Sequence, residues 1–288
     1  MNTSQISEVL EIFYNNADAR IRDKIFMGTP YILISIYLFY VLFTANFLPK
    51  FMENRKPLNY DVLMSSLDAI LCVVASYFFL HALVGWMYFY NWTCQPIDRS
   101  DIWLSNNELR LTHAFLVSKF LYILQSIVLV ICKKDSPFAA YLLYHHTLFP
   151  IMLWFGINFY PGGHATFVGL INSFVHVNTT VMRFMAIKFP KSGFRTYQRL
   201  IHVCLNVSTS QWVLELILTY IFSQVFQYIA VFCHSSLLFF LHDCEVPKIL
   251  GAYEIVCATI IAVFYKKFVI NAKNNRSVVK QFDDNEKF

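Results

Sequence analysis

The sequence predicts an all-α membrane protein, and three observations support this class. Of the 288 residues, 57% are hydrophobic and only 14% are charged. The mean hydropathy is +0.48, which is far from the usage of a soluble domain. Several apolar stretches reach the length of about 20 residues that a helix needs to cross the hydrocarbon core, where unpaired backbone groups are too costly.

Seven of these stretches predict seven transmembrane helices. The predicted spans are residues 29–48, 62–84, 113–132, 138–157, 164–186, 206–235 and 249–270. The sixth span is the hardest to delimit, because the chain is apolar from Leu200 to Phe240, longer than one crossing requires. The organisation expected is a polar lumenal segment over residues 1–28, a membrane domain over 29–270 and a polar cytosolic tail over 271–288.

The loop charges predict the orientation. Lys and Arg are concentrated in alternate loops and in the tail, whereas the loops between them are acidic or uncharged. Because short cytoplasmic loops carry the excess of basic residues, this alternation predicts a lumenal N-terminus and a cytosolic C-terminus. Cys94 and Cys244 then lie on the same lumenal side, where an oxidising compartment permits a disulfide between them, and free thiols remain the alternative.

Polar side chains inside apolar spans are costly unless they are paired or face a cavity, so they are the first candidates for a functional site. The set is Lys119, Gln125, His145, His146, Asn172, His176, Gln224, Gln227 and His234. For several of them a structural role is also open. Lys119 could snorkel from a helix end, and the two glutamines could bond neighbouring helices. Asn172 could orient the imidazole of His176 or bond another helix.

Two histidine segments are expected to meet inside the membrane. His145 and His146 lie about 10 Å into the fourth span from the cytosolic side, and His176 lies beyond the midplane in the fifth span from the lumenal side. The two spans are joined by the short turn around Pro161, so we expect them to pack as neighbours. Successive helical residues point about 100° apart, so only one of the adjacent pair is expected to aim at His176.

A metal site is not expected at this pair. The chain has nine histidines but only one adjacent pair, and no carboxylate is expected beside it to complete an oxygen-rich site. The imidazole itself can act as a nucleophile or general base, which suits acyl transfer.

These residues resemble the ELO family of very-long-chain fatty acid elongases. Six segments carry the resemblance: Asn54-Arg55-Lys56-Pro57, Cys94-Gln95-Pro96, Lys119 of a KxxExxDT box, His145-His146 of an HxxHH box, His176 of an HxxMYxYY box, and Gln224 and Gln227 of a TxxQxxQ box.

The resemblance implies a seven-helix enzyme of the endoplasmic reticulum, with helices 2–7 enclosing an acyl tunnel. It would condense a long-chain acyl-CoA with malonyl-CoA to 3-oxoacyl-CoA, CO2 and CoA, through an acyl-imidazole on His145 that is supported by His146 and His176. Both thioesters and the lipid bilayer are expected partners, together with other elongation-cycle enzymes or a second copy of the chain. No resident cofactor and no nucleic acid are expected. The substrate-binding candidates are Lys119, Gln125, Asn172, Gln224, Gln227, His234, Lys133 and Lys134, of which the last two could equally be topology signals.

Several box positions depart from the family pattern. Leu142 replaces the first histidine of HxxHH, and Tyr122, Gln125 and Ser126 replace the Glu, Asp and Thr of KxxExxDT. The later boxes are altered at Thr179, Thr180, Met182, Arg183 and Ile221. Two hypotheses therefore remain open: a divergent elongase, and a non-catalytic elongase-like membrane protein that binds acyl-CoA or active elongases. A receptor or transporter would leave the boxes coincidental.

Overall fold

A computed structural model describes residues 3–134, 137–188 and 212–267, and the regular elements in these ranges are helical. They are α1 (Thr3–Asn16), α2 (Tyr31–Met52, with a π-helical turn at Phe43–Phe47), α3 (Tyr60–Tyr88), α4 (Trp103–Ile131), α5 (Pro137–Phe159), α6 (Thr166–Lys188), α7 (Trp212–Phe240) and α8 (Lys248–Tyr265). The start of the predicted sixth span and the predicted tail, 271–288, lie outside the described residues.

The helices have the length and composition of a membrane protein. Within the described ranges, α2, α3, α4 and α8 are long and apolar enough to cross a bilayer. Helices α5 and α6 have 23 residues each. The all-α class of the described chain is confirmed, and the count of seven crossings stays a prediction. Helix α4 begins at Trp103, ten residues before the predicted start at 113 (113 − 103 = 10), because the helix continues through the charged residues that precede the apolar span.

Six helices form a closed ring. Helices α3, α4, α5, α8, α7 and α6 each pack against the next, and α6 packs back against α3. Helix α2 lies outside this ring, against α4 and α5. The expectation that α5 and α6 pack side by side is wrong, because each has other helices as its ring neighbours and the two face each other across the interior.

The turn between α5 and α6 explains this arrangement, because it crosses one end of the ring. Gly162 and Gly163 have φ angles of 136° and 57°, which L side chains rarely adopt. A Cβ atom at Gly162 would lie 2.8 Å from Glu108 Oε1. The Gly163 N–H donates to Glu108 Oε1 at 2.6 Å, and the His164 N–H donates to the Gln95 carbonyl at 2.7 Å. The two glycines and the half-buried Glu108 carboxylate therefore fix the path of this turn together.

A disulfide lies at the same end, which we call the disulfide end. The structure joins Cys94, between α3 and α4, to Cys244, between α7 and α8; this is the pairing that the loop topology permitted. The segment after α1 packs at this end too. The Asp18 N–H donates to the Asn158 carbonyl at 2.9 Å, and Trp154 Nε1 donates to the Phe26 carbonyl at 2.6 Å. These contacts tie the segment that contains Asp18 and Phe26 to α5.

Candidate active site

Three histidines, which we call the histidine cluster, meet inside the ring: His145 and His146 on α5 and His176 on α6. The ring centroid of His176 lies 6.2 Å from that of His145 and 6.3 Å from that of His146. Both members of the adjacent pair thus approach His176, contrary to the expectation that only one would. Their surroundings differ, however, and separate their roles.

His145 belongs to a hydrogen-bond network with α7. Its Nδ1 lies 3.4 Å from Tyr141 Oη, one helical turn earlier on α5. Tyr141 Oη donates to Gln224 Oε1 at 3.1 Å and lies 2.7 Å from Tyr228 Oη. Gln227 Nε2 also donates to Gln224 Oε1, at 2.8 Å. The two predicted glutamines therefore support His145 through Tyr141, and they join α7 to α5 at the same time.

His146 is linked instead to a buried ion pair. Its Nε2 donates to Gln125 Oε1 at 3.1 Å, and Gln125 Nε2 donates to Asp68 Oδ1 at 3.4 Å. Asp68, which is 0% exposed, accepts from Arg183 Nε at 2.7 Å and from Arg183 Nη2 at 2.5 Å. The expectation that no carboxylate lies beside the histidines is wrong. Helix α3 brings Asp68 next to Gln125, which replaces the aspartate of the box on α4.

Lys119 is buried in the interior and does not snorkel to a helix end. It is 4% exposed, its Nζ donates to Asn172 Oδ1 at 2.9 Å, and the same nitrogen lies 3.7 Å from the centroid of the Phe115 ring. Asn172 therefore bonds another helix, α4, which is the second of its two predicted roles. A lysine held in this way places an amine donor in the interior of the ring.

Among the described residues, two cavities lie in the interior of the ring. The main cavity has a volume of about 170 Å³ and is lined mostly by apolar side chains from all six ring helices. The small cavity, of about 20 Å³, is lined by polar groups that include His146, His176, Thr179 and Arg183. His145 lines both cavities. It therefore stands at the junction between an apolar space and a polar one.

Other predicted residues lie away from this junction. His234 is near the disulfide end, where its Nε2 donates to the Trp92 carbonyl at 3.1 Å. Lys133 and Lys134 are exposed at the opposite end, and Lys133 Nζ donates to the Glu53 carbonyl at 2.9 Å. Arg199, a further basic residue before the predicted sixth span, lies outside the described residues. In the ranges that the structure describes, no group of three His, Cys, Asp or Glu side chains is arranged to hold a metal ion.

Sequence reasoning missed four side chains that the structure places in the cavity walls or beside them: Asp68, Tyr141, Arg183 and Glu254. Asp68 and Glu254 could have been found, since both lie inside predicted apolar spans, where a carboxyl group is costly. The sequence marks Arg183 as a basic residue near a predicted loop and as an altered box position, but it does not predict a role for it in the site. The position of Tyr141 depends on the approach of α7 to α5, which no local pattern reveals.

Comparison with known proteins places this geometry in a family. The ELO family, described as the GNS1/SUR4 family, matches residues 25–281. The chain is 27% identical over 279 residues to very long chain fatty acid elongase 7 of Drosophila melanogaster, with 93% of this chain and 78% of the relative covered. It is 28% identical over 241 residues to very long chain fatty acid elongase 7 of Rattus norvegicus, and this alignment covers 81% of this chain and 78% of the relative.

The alignment to very long chain fatty acid elongase 1 of Homo sapiens is shorter, at 34% identity over 163 residues, 56% of this chain and 58% of the relative. The family match, by contrast, includes the six ring helices and the whole histidine cluster. The chain therefore belongs to the ELO family.

Proposed function

We propose that the chain is a very-long-chain 3-oxoacyl-CoA synthase, which condenses a long-chain acyl-CoA with malonyl-CoA. The observation that carries this proposal is the position of His145 at the junction of the two cavities. The main cavity is a suitable site for the acyl chain. Transfer of an apolar chain from water into a cavity lined mostly by apolar side chains is favourable. The printed names of the relatives, very long chain fatty acid elongases, support the same reaction class.

The network around His145 favours one nitrogen as the nucleophile. Tyr141 uses its hydroxyl hydrogen to donate to Gln224, so its oxygen is left to accept from His145 Nδ1–H. Tyr228 must then donate to Tyr141. A proton on Nδ1 leaves the lone pair of Nε2 available for attack, and this assignment of the tautomer follows from the partners.

The reaction then balances in two steps. His145 Nε2 attacks the thioester carbonyl carbon, an N–C bond forms, the C–S bond breaks, and CoA leaves as the thiol with the proton released from the imidazole. Malonyl-CoA next loses CO2, and the electron pair left on its α-carbon forms a C–C bond to the acyl carbon. The N–C bond breaks in the same step, its electrons stay on Nε2, and the imidazole takes up one proton from solvent at Nδ1, which restores neutral His145. The apolar interior keeps water away from the acyl-imidazole.

The polar side of the junction, around the small cavity, is a suitable place for the carboxylate of malonyl-CoA. Arg183 and His176 line this cavity, and Lys119 lies within 5.4 Å of the Phe149 ring that stacks on His145. Cationic groups favour the malonyl carboxylate during binding and the thioester oxygen as negative charge develops on it. Arg183 stands where the resemblance places a tyrosine, so this chain would hold the anion with a guanidinium paired to Asp68.

Residence in the endoplasmic reticulum membrane, seven crossings, and the orientation with a lumenal N-terminus belong to the same proposal. The exposed Lys133 and Lys134 would then face the cytosol, where CoA thioesters are found. Their charge suits the phosphates of CoA. Contacts with other elongation-cycle enzymes or with a second copy of the chain remain predictions.

The direct test is to detect the acyl group on His145. Purified protein is incubated with an acyl-CoA in the absence of malonyl-CoA, and peptides from α5 are examined by mass spectrometry. We expect an acyl adduct at His145, and labelled malonyl-CoA should then chase it into a 3-oxoacyl product. Tyr141→Phe, which removes the acceptor for Nδ1–H, should slow adduct formation about tenfold, whereas Thr147→Val, on the same helix, should not.

A non-catalytic function remains the second candidate, and Leu142 favours it. This buried side chain lines the small cavity where the family box has a histidine. Acyl-CoA binding without adduct, and without incorporation of malonyl carbon at any chain length, would establish the binding function and exclude the synthase.

A further inference from the structure

Glu254 places a carboxyl group in the wall of the main cavity. It lies on α8, is 6% exposed, and is one of the cavity-lining residues. Its Oε2 accepts from Ser235 Oγ at 2.6 Å, whereas its Oε1 is buried and has no hydrogen-bond partner. A buried acceptor without a partner is costly, and a carboxyl group inside a membrane helix is more so.

The surroundings of Glu254 give no structural reason for this group. On α8, Leu250, Ala258 and Ile261 line the same cavity with apolar atoms. Its neighbour Tyr253 donates its hydroxyl to the Met152 carbonyl on α5. Among the described residues, the ion pairs of this chain do not include Glu254. Among the described residues the carboxyl is therefore not part of a salt bridge, and Glu254 with its unsatisfied oxygen stands in the wall of a space that a ligand can enter.

The distance between His145 and Glu254 along the ring axis can be estimated on two helices, α5 and α7, and the two values agree. Its neighbour Tyr253 contacts Met152, seven residues after His145 on α5, which corresponds to about 10 Å along the helix. Ser235 lies eight residues after Gln227, which belongs to the His145 network, and this corresponds to about 12 Å on α7. A chain that starts at His145 and runs toward the disulfide end would therefore pass Glu254 partway along its length.

We propose that Glu254 is a binding site for a hydroxyl group on the acyl chain, so that the preferred substrates are hydroxylated long-chain acyl-CoAs. This inference rests on the proposed function, in which the main cavity holds the acyl chain. A hydroxyl at the matching depth donates to Glu254 Oε1, and a plain chain leaves that oxygen unpaired. A site built to hydrogen-bond a substrate hydroxyl rejects the analogue that lacks it far more strongly than an apolar pocket rejects a hydroxyl.

The test measures binding without chemistry. CoA thioethers cannot transfer their chain, so a series of 18-carbon thioethers with one hydroxyl moved along the chain is competed against a labelled plain thioether on the purified full chain. We expect one position, or two adjacent ones, to bind about tenfold tighter than the plain chain and the other positions to bind more weakly than it. A flat profile in the unmodified protein overturns the proposal.

Variants of Glu254 test whether this residue causes the preference for one hydroxyl position. Glu254→Leu should flatten the profile, and Glu254→Gln should keep most of it, because the amide retains an acceptor oxygen. Thr259→Val serves as the matched control, since Thr259 is an exposed polar residue of α8 that bonds only its own helix at Ile255. A profile that survives in a folded Glu254→Leu variant also overturns the proposal.

The same series separates the two proposals. If neither plain nor hydroxylated thioethers bind, the acyl cavity and the hydroxyl site fail together. If plain thioethers bind and no hydroxyl position is preferred, only the hydroxyl site fails.

Discussion

Two groups of histidines lie in the interior of this protein, and they differ in what they contact. The histidine cluster, defined above, lies between α5 and α6. His164 and His234, which we call the stacked pair, lie near the disulfide end with ring centroids 4.0 Å apart and an interplanar angle of 14°. Phe167 stacks on His234 at 3.8 Å, and Trp86 contacts both rings edge-on.

Both groups are largely buried. They differ in the side chains that contact the imidazoles and in whether a ligand in a cavity can reach them. In the histidine cluster, Tyr141 and Gln125 contact the imidazoles of His145 and His146 and are themselves held by side chains on α7 and α3, and His145 lines both cavities. The stacked pair is enclosed by aromatic rings, and neither of its members lines a described cavity. A buried histidine is therefore a candidate for chemistry only where a ligand can reach it and where partners fix its tautomer.

The largest expected effect comes from His145. His145→Ala removes the proposed nucleophile and should lower the elongation rate by about 10⁴-fold, as removal of a nucleophile does in other enzymes. The measurement is incorporation of labelled malonyl-CoA into acyl products by protein in vesicles. His164→Phe is the matched control, because it changes a histidine of the stacked pair and should leave the rate within a factor of about three.

Equal losses in the two variants would contradict the distinction between the groups. A loss only in His164→Phe would reverse it and move the candidate site to the disulfide end.

The next effect concerns the charges beside the histidine cluster. Asp68→Asn leaves the Arg183 guanidinium in the interior without its carboxylate, which should reduce the free energy of unfolding by about 3 kcal/mol. The double variant Asp68→Leu with Arg183→Leu should recover much of that loss, since it removes both charges. Unfolding in mixed detergent micelles measures both. An Asp68→Asn protein as stable as the unmodified one would show that the pair does not hold α3 and α6 together.

A smaller effect is expected at the stacked pair. His234→Phe preserves the stacking on Phe167 but loses the hydrogen bond to the Trp92 carbonyl, so the free energy of unfolding should fall by about 1 kcal/mol. The KM for acyl-CoA should stay unchanged. A several-fold rise in KM with unchanged kcat would instead restore the substrate-binding role that the sequence predicts for His234.

The sequence predicted the helical class and the meeting of His145 with His176, because apolar length and depth along a helix are local properties. The order of helices in the ring depends on tertiary packing. The short loop at Pro161 suggested adjacent helices, yet contacts with Glu108 and Gln95 direct the turn across the end of the ring. Short loops limit the distance between helix ends, and they do not decide which side chains fill the space between the helices.

The roles of single polar residues were less predictable for the same reason. Gln227 and His234 are polar residues of one apolar span, seven residues apart on α7, and the family resemblance made both of them substrate-binding candidates. Seven residues, however, also correspond to about 10 Å along the axis, which carries His234 out of the Tyr141 network. Asp68 shows the reverse case, because its partner Arg183 is 115 residues away in sequence and no spacing rule connects them.

The smallest expected effect is pH-dependent and lies outside the membrane-spanning helices, at Asp18. Burial raises the pKa of this carboxyl, but hydrogen bonds from Arg20 and its positive charge outweigh burial and hold the pKa below the ordinary value of 3.8. A depressed folded-state pKa means that the stabilisation is present above about pH 4 and is lost as the pH falls through the folded value. The contribution should be under about 1 kcal/mol, since Arg20 is partly exposed.

Hydrogen exchange in residues 17–28 measures this effect, because these residues open locally when Asp18 loses its charge. Exchange should accelerate below pH 4 beyond the change of the intrinsic rate, and Asp18→Asn should show the faster exchange at every pH. Asp61→Asn, an exposed aspartate at the opposite end, is the control. Elongation should stay constant in both variants. A fall in the rate with Asp18→Asn would mean that the N-terminal segment reaches the histidine cluster through α5, and that the two ends of the ring are coupled rather than separate.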